Sequence, residues 1–74
     1  MERWVRMAVQ ITLNGRTEAV EDGTTVLRLL ESKGINPARV AVELNRRILR
    51  REEYDDTPLS PGDALEVVTF VGGG

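Results

Sequence analysis

The 74-residue sequence contains no cysteine and no histidine, and one each of Trp, Tyr and Phe. Each absence removes a chemistry. Without cysteine there is no disulfide, no catalytic thiol and no thiolate metal site. Without histidine no Ser–His or Cys–His pair can form, and the commonest general base and metal ligand is missing. The composition therefore points away from an enzyme and from a metal site, and no cofactor is expected to be bound. Long hydrophobic runs are also lacking, so no segment is long enough to span a membrane. Met1-Glu2-Arg3-Trp4-Val5-Arg6 lacks the apolar stretch of a signal peptide, and a cytoplasmic protein is expected. Ten Lys and Arg against twelve Asp and Glu give a net charge of -2, which offers no basic excess for nucleic acid. A chain of this length makes one domain. Such a domain buries only roughly 60% of its unfolded surface, which leaves a single small core and no room for a deep pocket of roughly several hundred Å³. A monomer is expected.

What is present is a series of short periodic segments. Residues 1–7 fit no pattern and read as a loosely held extension, with Trp4 against the domain edge. Ala8 to Leu13 alternates with Val9, Ile11 and Leu13 on one face, the pattern of a half-buried strand. Asn14-Gly15 is a strong hairpin signal, because a type I′ turn needs positive φ at both central residues. Arg16 to Glu21 reads as the returning strand. It is more polar, suits an edge and touches the core only through Ala19 or Val20. Thr24 or Thr25 can cap a helix, in which Val26, Leu29 and Leu30 form one apolar stripe and Arg28, Glu31 and Lys33 point away. Gly34 stops that helix after about nine residues.

Ile35 to Arg39 is a connector marked by Asn36-Pro37. Val40 to Leu44 alternates again, with Val40, Val42 and Leu44 inward. Asn45-Arg46 makes a turn and Arg47 to Leu49 a short strand. Arg51 to Leu59 has no clear period, and Tyr54 and Leu59 look like anchors under an irregular loop. Ser60-Pro61-Gly62-Asp63 carries the type II signature, Pro then Gly at the centre. A final strand runs from about Ala64 to Val71, with Leu65 and Val67 inward, and Gly72-Gly73-Gly74 follow. The order is β-β-α-β-β-β, an α+β domain over residues 8–71 in which one mixed sheet of four to five strands grips one helix. The last strand can sit centrally beside the first.

Three terminal glycines cost backbone entropy and add nothing to a core. They read as a flexible arm, residues 72–74, that presents a carboxylate at Gly74. Side chains there would obstruct entry into an enclosed site, and glycine permits close approach. Val71, Gly72, Gly73 and Gly74 can reach at most about 13 Å when extended, enough to thread a narrow channel in a partner. The charges around the second hairpin suit either a solvated rim or partner steering. Arg46, Arg47, Arg50 and Arg51 come first, then Glu52, Glu53, Asp55 and Asp56. Arg47 and Arg51 are the docking candidates in the second reading, with Phe70, which the sequence leaves open between core and exposed anchor. An RNA-binding patch is disfavoured, because Tyr54 is the only aromatic nearby.

The order of elements resembles the ubiquitin-like β-grasp fold, and the sequence resembles the ThiS family of bacterial sulfur carriers of thiamin synthesis. The resemblance lies in Ile11-Thr12-Leu13-Asn14-Gly15, Thr25-Val26-Leu27-Arg28-Leu29-Leu30, Val40-Ala41-Val42-Glu43-Leu44-Asn45, Arg51-Glu52-Glu53-Tyr54 and the run from Ser60 to Gly74. It covers nearly all of residues 8–74. Two departures stand out, the extension before Met7 and Arg46, which sits where a glycine often completes the second turn. The resemblance implies that a ThiF-like ATP-dependent adenylyltransferase uses ATP and Mg²⁺ to convert the Gly74 carboxylate to an acyl-adenylate. A sulfur donor system would then leave a thiocarboxylate, and a ThiG-like thiazole synthase would take the sulfur. The runner-up is the small subunit of molybdopterin synthase, followed by a ubiquitin-like modifier and a plain β-grasp interaction domain. The first of these usually carries prolines before the glycines, and Thr69-Phe70-Val71 has none.

Overall fold

The computed structural model describes residues 8–70. The N-terminal extension with Trp4, and the arm from Val71 to Gly74, lie outside the described residues. Five strands and one α-helix form in the expected order. They are β1 (Ala8–Leu13), β2 (Arg16–Glu21), α1 (Val26–Ser32), β3 (Val40–Leu44), β4 (Arg47–Leu49) and β5 (Ala64–Thr69). They make one sheet in the order β2-β1-β5-β3-β4. The first and last strands run parallel, and the other neighbours are antiparallel. This is the ubiquitin-like β-grasp arrangement.

Alternation decides what each strand buries. Val9, Ile11, Val40, Val42, Leu49 and Leu65 point to one face, where Val26, Leu29 and Leu30 of α1 meet them. Leu13, Leu44 and Val67 keep the inward phase but are only half-buried. On β2 the core contact falls to Val20, and Ala19 faces out. Burial of this one cluster is the main favourable term for a domain of this size.

The helix is seven residues long, two fewer than expected. Thr25 is its N-cap, its hydroxyl accepting from the Arg28 amide at 3.1 Å. At the other end Gly34 adopts φ 70. The Gly34 amide donates to the Glu31 carbonyl at 3.0 Å and the Ile35 amide to the Leu30 carbonyl at 2.9 Å. That pair of bonds is the Schellman closure. It turns the chain one residue after Lys33 and drops half-buried Ile35 onto the core. Lys33 also pairs with Glu18 of β2 at 2.8 Å, which ties the helix end to the edge strand.

Two segments read as irregular contain 3-10 turns instead. Pro37–Arg39 forms one, capped by the Asn36 side chain accepting from the Ala38 amide at 2.9 Å. Arg51–Asp56 forms the other. There the Arg50 amide donates to the Glu53 carboxylate at 3.0 Å, and the Thr57 hydroxyl donates to the Glu53 carbonyl at 2.7 Å. The two anticipated anchors, Tyr54 and Leu59, are both buried.

Candidate functional site

The candidate site is the base of the arm, because Gly74 itself lies outside the described residues. β5 supplies that base, and it is held on both edges. Against β3 it runs in register from Leu44↔Leu65 to Val40↔Thr69, and the Phe70 amide donates to the Arg39 carbonyl at 2.9 Å. Against β1 the ladder covers only Thr12↔Ala64 and Leu13↔Leu65. Its bonds run from the Thr12 amide to the Asp63 carbonyl at 2.8 Å and from the Asn14 amide to the Leu65 carbonyl at 2.9 Å. Leu65 is 1% exposed, so the strand is also pinned from below.

Both hairpin turns place an asparagine beside β5. Asn14 and Gly15 take φ 49 and 83, and Asn45 and Arg46 take φ 51 and 71, the left-handed pairs that a type I′ turn requires. The Asn45 amide donates to the Ala64 carbonyl at 2.8 Å. Its side chain accepts from the Ala64 amide at 2.9 Å and donates to the Asp63 carboxylate at 3.0 Å. The Asn14 side chain accepts from the Val67 amide at 2.8 Å and donates to the Val67 carbonyl at 3.3 Å. The sequence marks both asparagines as turn residues but not as β5 contacts, since that second role depends on the strand order.

Phe70 is exposed at 56%, so it is not a core residue. Strand parity could have settled this. With Leu65 and Val67 inward, Glu66, Val68 and Phe70 fall on the opposite phase. The register extends that outer face across the sheet, with Val68 opposite Ala41 and Glu66 opposite Glu43, which in turn faces Ile48. Ile48 and Val68 are exposed at 70% and 60%. Three large apolar side chains thus stand on one solvent face, with two carboxylates placed directly across from each other. Neither Glu43 nor Glu66 has an ion pair among the described residues.

Arg47 and Arg51 are not brought to that face. Arg47 shares the phase of Leu49 and pairs with Glu53 of the second 3-10 turn at 3.6 Å. Arg51 lies in that turn, where its charge acts on Tyr54. Burial pushes the Tyr54 phenol above its ordinary 10.0, and the Arg51 charge and a backbone hydrogen bond at Val42 pull the other way.

Among the described residues no group of acidic side chains is placed to hold a metal ion, and no helix is long and apolar enough to cross a membrane. A concavity of about 750 Å³ lies between β2 and α1, lined by Glu18, Asp22, Arg28 and Lys33 among others. It is an open groove rather than the deep pocket excluded by chain length, and it lies two strands away from β5.

Comparison with known proteins gives one consistent result. The family model described as the ThiS family matches residues 7–74. The sulfur carrier protein ThiS of Thermus thermophilus is 39% identical over 64 residues, covering 86% of this chain and 98% of that protein. A crystal structure of a thiamine biosynthesis protein, ThiS, from Geobacter metallireducens superposes with a TM-score of 0.77 at 36% identity, covering 89% of this chain and all of that one. A thiazole synthase of Magnetococcus marinus is 42% identical over 66 residues, which is 89% of this chain. The chain spans only 20% of the length of that synthase.

Proposed function

We propose that this chain, which belongs to the ThiS family, is a sulfur carrier of thiamin biosynthesis whose reacting atom is the carboxylate carbon of Gly74. The observation that carries the proposal is the placement of the glycines. They follow the central strand of the sheet, so the globular body holds the base of the arm while its last three residues carry no side chains.

The chemistry follows from the weakness of a carboxylate as an electrophile, since its leaving group would be oxide. An ATP-dependent adenylyltransferase resembling ThiF, using ATP and Mg²⁺, would join the Gly74 carboxylate to AMP and release pyrophosphate. A sulfur nucleophile at the oxidation level of sulfide would then attack the carbonyl carbon. The bond to AMP breaks, AMP leaves with the electron pair, and a thiocarboxylate remains. A thiazole synthase would accept that sulfur. The matching segment inside proteins named thiazole synthase supports the last partner. In this scheme the chain is a co-substrate, and the catalytic groups belong to its partners. Val71, Gly72 and Gly73 would thread the partner's channel. The apolar face of Phe70, Val68 and Ile48 would dock, since exposed apolar patches beside a reacting end mark interaction sites. Arg47 and Arg51, on the other side of the sheet, would at most steer the approach.

The test is intact mass after incubation with the adenylyltransferase, ATP, Mg²⁺ and a sulfide source. The expected gain is the mass difference between a sulfur and an oxygen atom. Deleting Gly74 should abolish that gain and leave the far-UV circular dichroism unchanged. An unchanged mass with a partner that demonstrably loads another carrier would refute the proposal.

A further inference from the structure

The β1–β5 ladder stops one rung before its geometry requires, and a side chain completes it. In a parallel ladder the bonds run alternately to and from residues two apart. After the Asn14 amide has donated to the Leu65 carbonyl, the next rung should pair the Val67 amide with the backbone carbonyl of Asn14. The Val67 carbonyl should then accept from residue 16. Neither forms, because Asn14 at φ 49 already turns the chain into the hairpin. The Asn14 carboxamide takes both places, its oxygen accepting from the Val67 amide at 2.8 Å and its nitrogen donating to the Val67 carbonyl at 3.3 Å. A carboxamide has the same donor and acceptor as a peptide unit, so it stands in for a missing piece of strand. Beyond Val67, no described residue pairs with β5 on that edge. The β3 edge continues to Phe70. Asn45 makes the corresponding contact at the start of the strand, on the opposite edge.

We propose that Asn14 is a positioning residue for loading, one that fixes the direction in which the arm leaves the domain. The proposal rests on the carrier reading above. A strand bonded on one edge only can twist about that edge, and the reacting carbon lies seven residues past Val67. A twist of roughly 10° about the β3 edge, carried to Phe70 as the last paired residue, would move the end of four further extended residues through about 2 Å, whereas misplacement by about 1 Å can already cost a large rate factor. Holding Val67 on both edges removes that swing before the partner is met, so less ordering remains to be done on binding.

The experiment compares the wild-type chain, Asn14→Gly and Asn14→Asp. Glycine accepts the left-handed turn without strain, so Asn14→Gly removes both side-chain bonds and keeps the hairpin. Asn14→Asp keeps the acceptor for the Val67 amide but, when ionised, loses the donor to the Val67 carbonyl. Protonation restores an O–H donor there. In Asn14→Gly the Val67 amide should exchange hydrogen about tenfold faster, with the Phe70 amide, bonded on the other edge, much less affected. At a temperature far below unfolding, kcat/KM for adenylation by the adenylyltransferase should fall about threefold or more. In Asn14→Asp, the amide NMR shifts of Val67 to Phe70 should return toward wild type as pH falls through the carboxyl titration. That reversal reads the donor itself and would not accompany a general loss of stability. Wild-type kcat/KM in a folded Asn14→Gly with a freed Val67 amide would overturn the proposal. If Asn14→Gly does not fold, shifts in Asn14→Asp that ignore pH would overturn it equally. If the wild-type chain is not adenylated at all, the carrier reading fails, and this proposal falls with it, whatever the exchange data show about Val67.

Discussion

Replacing Leu65 with alanine separates the two duties of β5, since Leu65 belongs to the core and its neighbours on the outer face do not. Leu65 is 1% exposed and among the largest fully buried side chains, and it sits in the middle strand between Leu13 and Leu44. A buried Leu→Ala change costs about 2–5 kcal/mol, depending on how far the cavity collapses. With sheet neighbours on both edges the site cannot relax easily, so a cost of about 3 kcal/mol is expected. A 74-residue domain has a total stability of only about 4–11 kcal/mol. Thermal unfolding followed by far-UV circular dichroism should therefore show Tm lower by roughly 10–25 °C. Urea titration should show a lower midpoint at unchanged slope. Val68→Thr, three residues further along the same strand but exposed, should stay within about 0.5 kcal/mol of wild type. Below the lowered Tm, Leu65→Ala should still be loaded, because its arm is unaltered. A cost under about 1 kcal/mol, or equal costs for the two substitutions, would refute the assignment of β5 as the central, inward-packed strand.

Three further outcomes follow from the same structure. Arg46 holds φ 71 without being glycine, so Arg46→Gly should stabilise the domain by about 0.5–1 kcal/mol in urea titration, and any loss would mean that the side chain earns its strained position. Glu66 and Glu43 are directly opposed on the outer face, and Glu66→Gln should raise stability by about 0.2–1 kcal/mol, more at low salt than at high. Tyr54 ionises above 10.0 in the folded chain and near its ordinary value when unfolded. Its contribution is thus complete below about pH 10 and is lost as pH rises through the folded value, because the unfolded state then binds fewer protons. Urea midpoints measured from about pH 9 to 11 should fall with a slope of at most about 1.4 kcal/mol per unit, and Tyr54→Phe should flatten that part of the profile.

Most of the fold is legible in the chain because local signals agree with one another. Alternation places Val9, Ile11, Val40, Val42 and Leu65 inward, and all are buried. Asn14-Gly15 and Pro61-Gly62 name their turns by backbone chemistry alone, and Gly34 stops the helix as its position suggests. The 3-10 turn over Arg51–Asp56 escapes such reading because only Tyr54 is buried in it, so it leaves no apolar period. What holds it is the contact between the Arg50 amide and the Glu53 carboxylate, which no pattern announces. The site divides in the same way. The glycine arm is a property of sequence, whereas the bracketing of β5 by Asn14 and Asn45 exists only once strands far apart in the chain lie side by side. Arg47 and Arg51 cluster with the other arginines in sequence, but the turn of the second hairpin sends Arg47 to the side away from Phe70.

The parallel pairing of first and last strands also has a mechanical consequence. In the proposed carrier role, a partner drawing the arm into its channel would pull β5 along its own length. The antiparallel rungs to β3 lie across that direction and the parallel ones to β1 slant to it, and the register from Leu44↔Leu65 to Val40↔Thr69 loads the β3 rungs together in shear. Peeling, in which rungs break one after another, would need a pull sideways. The strand that leads into the glycine arm is thus oriented to bear tension, and forced extraction would have to cross the barrier of rupturing the whole ladder at once.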